Sequence, residues 1–199
     1  MRATRLLILF LLLQVFSTVA LAGYSTVVID AGHGGHDPGG IPGQRVQEKA
    51  VALDVARRLR FCLQEAGLRS VLTRSDDTFI PLPQRVAIAN AQRNAVFVSI
   101  HFNSSTRAGA HGYETYYYRP SAAALAVRIQ SLIARLQFDD NRHVKRRGYF
   151  VLRRTTIPAV LVECGFLTNP DEARLALRSD YREKLARTIG RAVIELSGH

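Results

Sequence analysis

Cysteine, acid and long apolar runs are all scarce in this 199-residue chain. With only Cys62 and Cys164 present, a disulfide-rich scaffold is excluded. Cys62 falls in an apolar helical pattern. Cys164 falls in an apolar strand, where alternation turns it away from Glu163. Two buried thiols are therefore expected rather than a bridge. No Ser/Gly/Pro-rich linker, internal repeat or low-complexity tract divides the chain, which excludes an appended repeat-built module. The longest apolar run, Leu6 to Phe16 broken by Gln14, is shorter than the ~20 residues of a spanning helix. Arg2 and Arg5 precede it and Ala20-Leu21-Ala22 follows, so residues 1–22 read as an export signal cleaved before Gly23. No Cys follows that run, so no lipid anchor is expected, nor any membrane anchor after cleavage. Residues 23–199 then form one domain, long enough for a sizeable core.

Acidic residues number 16 against 27 Lys and Arg, giving a net charge of +11, or +9 with Arg2 and Arg5 set aside. The basic residues gather in Arg142-His143-Val144-Lys145-Arg146-Arg147 and at Arg153-Arg154. This reads as a solvated basic loop or as a surface for an anionic partner. Nucleic acid is not expected, because the chain carries an export signal and no nucleic-acid-binding motif.

What is present is an alternation of strand and helix signals. Thr26–Asp30, Ser70–Arg74, Val96–His101, Gly112–Tyr118, Phe150–Leu152 and Ala159–Glu163 read as strands. Glu48–Gln64, Leu82–Arg93, Ala122–Leu136 and Asp180–Leu196 read as amphipathic helices. The expectation is a single α/β domain: a mixed, mostly parallel twisted sheet of about six strands with helices on both faces. Gly112–Tyr118 follows its predecessor too closely for a helical crossover, so part of the sheet should be antiparallel.

Three strand ends and one helix start carry metal-capable side chains. Val27-Val28-Ile29-Asp30 runs into Gly32-His33, Val96 to Ile100 runs into His101, and Ala159 to Val162 runs into Glu163. Glu48 opens the following helix, where its charge is favoured. Ligands in open α/β sheets gather at the carboxyl edge, so these positions can meet in one cleft. Two His and one Glu leave an open position on zinc, the arrangement of a catalytic site. His33, Glu48 and His101 are the expected ligands, and Glu163 the expected base, since its strand has no other use for a buried carboxylate. Nearby His36 and Asp37 are expected to be exposed or to support the ligands; His111 and Glu114 are weaker rivals. No Ser/His/Asp or Cys/His set competes.

These residues also carry a family resemblance. Asp30-Ala31-Gly32-His33-Gly34-Gly35 with Asp37-Pro38-Gly39, Glu48-Lys49, Thr73-Arg74 with Asp76 or Asp77, Arg85, Ser99-Ile100-His101-Phe102-Asn103 and Val162-Glu163-Cys164-Gly165-Phe166 with Asn169-Pro170 follow one another in order. The series resembles the catalytic domain of the zinc-dependent N-acetylmuramoyl-L-alanine amidases of the family 3 type. The resemblance implies the same three ligands and the same glutamate. It also implies peptidoglycan as substrate, cut between the lactyl group of N-acetylmuramic acid and L-alanine, and a place in the periplasm or cell envelope. Asn90-Ala91-Gln92-Arg93-Asn94 departs from the family, which often has an acidic pair there. Arg74, the acids after it and Arg85 are expected to brace a loop, with Arg85 alternatively meeting a substrate carboxylate; Asn103 should order the loop beyond His101 or touch substrate. Some relatives carry an inserted helix that plugs the site. The 61 residues between His101 and Glu163 leave little room for one, so no protein activator is expected to be required. The rival readings are a secreted zinc peptidase, a non-catalytic wall-binding regulator of the same fold, and a polyanion-binding protein.

Overall fold

The computed structural model describes residues 23–136 and 141–198; the export signal expected over residues 1–22 lies outside them. Six strands form one sheet: β1 (Thr26–Ala31), β2 (Arg69–Leu72), β3 (Ala95–Asn103), β4 (Tyr113–Tyr117), β5 (Asn141–Arg146) and β6 (Ala159–Phe166). Their order across the sheet is β2-β1-β3-β6-β4-β5. Only the β4–β6 pairing is antiparallel. β1 is buried along its whole length, as expected of a central parallel strand covered on both faces.

Among the described residues there are six α-helices: α1 (Glu48–Glu65), α2 (Leu82–Asn90), α3 (Ala123–Ile133), α4 (Phe150–Arg154), α5 (Pro170–Leu177) and α6 (Ser179–Ser197). Alternation along the strands splits the core into two layers. Val27, Ile29, Val96, Val98, Ile100, Val160 and Val162 face α1, α3 and α6 in the larger one. Val28, Phe97, Leu161 and Tyr116 face α2 and α4 in the smaller one. α1 and α6 approach closely at Gly190, where an added Cβ would stand 2.7 Å from the Cys62 sulfur. Cys62 and Cys164 are both free thiols; Cys164 is buried as expected, whereas Cys62 on α1 is only half-buried.

Two local expectations are corrected, and one element is added. Phe150–Leu152 is not a strand but the start of α4. Three apolar residues in a row are too few to show a period, and Tyr149 and the basic pair at its end make a short helix. The basic segment is not a loop but edge strand β5, and a row of Lys and Arg is a common way to protect such an edge. α5 was not anticipated, although Asn169 caps Asp171 and Glu172, Pro170 opens the first turn and acids follow it. Among the described residues no helix is long and apolar enough to cross a membrane.

Candidate metal centre

His101 and Glu163 are directly paired across β3 and β6 and face the thinner side of the sheet, between α2 and α4. A register shift in the β3–β6 ladder follows immediately, an irregularity of the kind that re-aims side chains beside functional sites. Just past β1 the chain turns sharply, and His33 adopts a left-handed backbone with φ 59°. Few residues bearing a side chain hold that conformation, and it brings the ring back over α1. Gly32 is required there: a Cβ would lie 2.4 Å from the His101 ring.

Glu48 joins the two histidines. Its Oε2 is 3.1 Å from His33 Nε2, and its Oε1 is 2.8 Å from His101 Nδ1. Oε1 also accepts from the Phe102 backbone N–H at 3.0 Å. Burial opposes the charge on Glu48, but hydrogen bonds from His101 and His33 overcome it and hold the carboxyl at about 2. Burial likewise opposes charging His101, and the Glu48 hydrogen bond and charge outweigh it, raising the imidazole to about 9. Among the described residues His33, Glu48 and His101 are the one group of potential donors gathered tightly enough for an ion, with one atom of each within 4.8 Å of the others. Two imidazoles and one carboxylate suit zinc and leave it a further position. Asp37 accepts from His33 Nδ1 at 2.8 Å, which fixes the ring and frees its other nitrogen for an ion. His36 is exposed and stacks on Phe79, apart from this group.

Beside the group, Glu163 presents a buried Oε2 with no hydrogen-bond partner. Burial pushes its carboxyl up to about 7, against the pull of the His101 charge. An unpartnered carboxylate oxygen is costly in a core, so its position speaks for use rather than packing. Glu163 lines an open cleft of about 630 Å³ together with His33, Glu48, His101 and Asn103, walled by Phe79, Leu82 and Tyr149.

Arg74 and Arg85 brace the His33 turn from two sides. Arg85 pairs with Asp30 at 2.8 Å and donates to the carbonyls of Ile80, Ala31 and His33. Arg74 donates to the carbonyls of Ala31, Gly32, Lys49 and Asp76. The acid that bridges is Asp77, to Lys49 and Gly35. Asn103 accepts from the Ser104 N–H and donates to Glu114. Two acids support the site in ways the sequence reading did not foresee: Asp30 was given no role, and Glu114 was weighed only as a rival ligand. Asp30, buried at the end of β1, accepts from Thr73, Arg85 and Ser99. Glu114 lies directly opposite Glu163. The signal for Asp30 was an acid closing an all-apolar strand.

Set beside known proteins, residues 27–195 match the family described as N-acetylmuramoyl-L-alanine amidase. The chain belongs to that amidase family. N-acetylmuramoyl-L-alanine amidase LytC of Bacillus subtilis is 38% identical over 82% of this chain, which spans 34% of LytC's length. The solved catalytic domain of the amidase CwlV from Bacillus (Paenibacillus) polymyxa is 38% identical with a TM-score of 0.79, over 86% of this chain and 97% of that one. The CwlD amidase of Clostridioides difficile, solved in complex with the GerS lipoprotein, is 31% identical with a TM-score of 0.83, over 87% and 98%.

Proposed function

We propose that this protein is an exported, zinc-dependent N-acetylmuramoyl-L-alanine amidase that releases stem peptides from peptidoglycan in the cell envelope. His33, Glu48 and His101 are its metal ligands, and Glu163 is its catalytic acid and base. The observation that carries this reading is the preformed His–Glu–His group beside an unpartnered, buried carboxylate oxygen. An ion bound there supplies Lewis acidity to a water molecule and to the scissile carbonyl. Glu163 accepts the proton of the attacking water, its affinity for that proton raised by burial. It returns the proton to the L-alanine nitrogen as the C–N bond breaks. Asp37 keeps the His33 ring in one orientation throughout.

No activator is required in this reading. Among the described residues between His101 and Glu163, β4, α3, β5 and α4 belong to the fold, and the cleft stays open to one side. CwlD was solved with a lipoprotein partner; a comparable partner that raised the rate here by orders of magnitude would reverse this point. The deciding experiment incubates the purified chain with zinc and peptidoglycan, beside Glu163→Ala, and reads the products by mass spectrometry. Free peptides beginning with L-alanine, peptide-free glycan and a silent variant are expected. Cuts within the stem peptide would make the protein a peptidase, and zinc binding without any cut would point to a missing activator or a wall-binding protein and overturn the open-site reading.

A further inference from the structure

The sheet order places the metal ligands on one side of Glu163 and a set of cations on the other. Reading across, His33 follows β1, His101 lies on β3, Glu163 on β6 and Glu114 on β4, with Arg142 and Lys145 on β5. Glu114 and Glu163 are opposite one another, so both side chains share a face. Lys145 reaches back over that face and forms an ion pair with Glu114. Arg142 Nε stands 3.5 Å from the same carboxylate oxygen without forming a hydrogen bond. The Glu114 side chain is 2% exposed, whereas Arg142 and Lys145 are 35% and 31% exposed. Two cations therefore share one acid and retain a surplus positive charge that solvent can reach. Among the described residues no other acid pairs with β5. Glu114 is also tied to the cleft, since it accepts from Asn103, which lines it.

The remainder of the inference rests on the amide cleavage proposed above. Glu163 gives its proton to the leaving amine, so the leaving peptide departs on the Glu163 side, toward β4 and β5. Strands lie ~4.8 Å apart and an extended chain advances ~3.4 Å per residue, so β5, two strands on, is about three residues from the amine. We propose that Arg142 and Lys145, held in place by Glu114, form a subsite for a carboxylate carried by the second or third residue of the leaving peptide. Arg142 makes no hydrogen bond to Glu114; it lies over the Phe166 ring and donates Nη1 to the His111 carbonyl, so its remaining N–H groups offer a carboxylate a charge-assisted hydrogen bond. Glu114 is a positioning residue in this arrangement.

The test titrates the zinc-loaded full chain with two synthetic tripeptides that begin with L-alanine. One bears free carboxylates and the other has every carboxylate amidated; binding is followed by calorimetry. The acid should bind about tenfold more tightly than the amide, the scale of one charge-assisted contact. Arg142→Gln and Lys145→Gln should each bring that ratio close to one, and Lys145→Arg should retain it. Equal affinity for acid and amide in the unaltered protein would overturn the subsite. So would an undiminished ratio in the two Gln variants, which would place the carboxylate on the metal instead. Lys145→Gln strips a buried acid of its nearest cation; if that variant fails to fold, Arg142→Gln decides. Binding needs no turnover, so the two proposals fail separately. Selective binding without release of peptide from peptidoglycan would sink the amidase reading alone, and release without selective binding would sink the subsite alone.

Discussion

His33 holds a backbone conformation that costs a side-chain-bearing residue of order 1 kcal/mol or more, and its surroundings over-determine it. Arg85 grips its carbonyl, Arg74 grips the two before it, and Asp37 grips its ring. Asp37→Asn should therefore lower zinc affinity about 10- to 100-fold with the fold intact, as measured by competition with a chelator dye. The histidine charges give a second expectation. In the metal-free protein His101 sits at about 9, above its ordinary 6.5, so its contribution to stability is full below 6.5 and is lost as the pH rises through 9. Zinc needs the neutral ring, so loading at pH 7 must expel protons, and zinc affinity should climb with pH up to about 9. Calorimetry in buffers of different ionisation enthalpy reads that release directly; a release of zero would contradict it. The clustering of His33, Glu48 and His101 was legible in the sequence because the two histidines follow apolar runs and Glu48 opens the helix after a Gly-rich loop. The left-handed turn at His33 was not, because nothing in a Gly-rich stretch says which residue will carry the positive φ.

Elements were legible in proportion to their length. α1 and α6, each with several turns, declared themselves by their apolar spacing, whereas five-residue α4 offered too few turns to show a period. β5 was masked for a different reason: its residues answer to the demands of an unpaired edge rather than to propensity. The α1–α6 contact makes a stability prediction that does not involve the site. Gly190→Ala would drive a methyl group against Cys62 in the middle of that packing. The overlap costs about 1–3 kcal/mol and the better helix propensity of alanine returns about 1 kcal/mol, so a net loss of up to about 2 kcal/mol is expected by urea titration, with zinc affinity unchanged. The glycine inside an otherwise regular helix was visible in the sequence; its reason, a neighbouring helix at close range, was not.

Over the whole molecule, the mixed sheet and two-layer core follow from the alternation of elements, but the strand order does not, because it is decided by pairings far apart in sequence. Those pairings form a hydrophobic core built without any of the four site residues. Stripping zinc should leave the far-UV circular dichroism unchanged, and adding it back at a hundredfold excess over Kd should contribute about 2.7 kcal/mol. For a chain of this size that is roughly 5–11 °C in Tm. A metal-free protein without secondary structure would refute this. The spread of the four site residues along the chain, from His33 to Glu163, has a temporal consequence as well. No two of the ligands lie within one turn of helix or one hairpin, so a nascent chain offers zinc no local clasp. β6 must dock between β3 and β4, among the last steps of a topology rich in non-local contacts, before Glu163 stands beside the ligands. On the function proposed above, the polypeptide is thus catalytically inert until it is nearly native, and an ion would be a passenger that boards a finished fold.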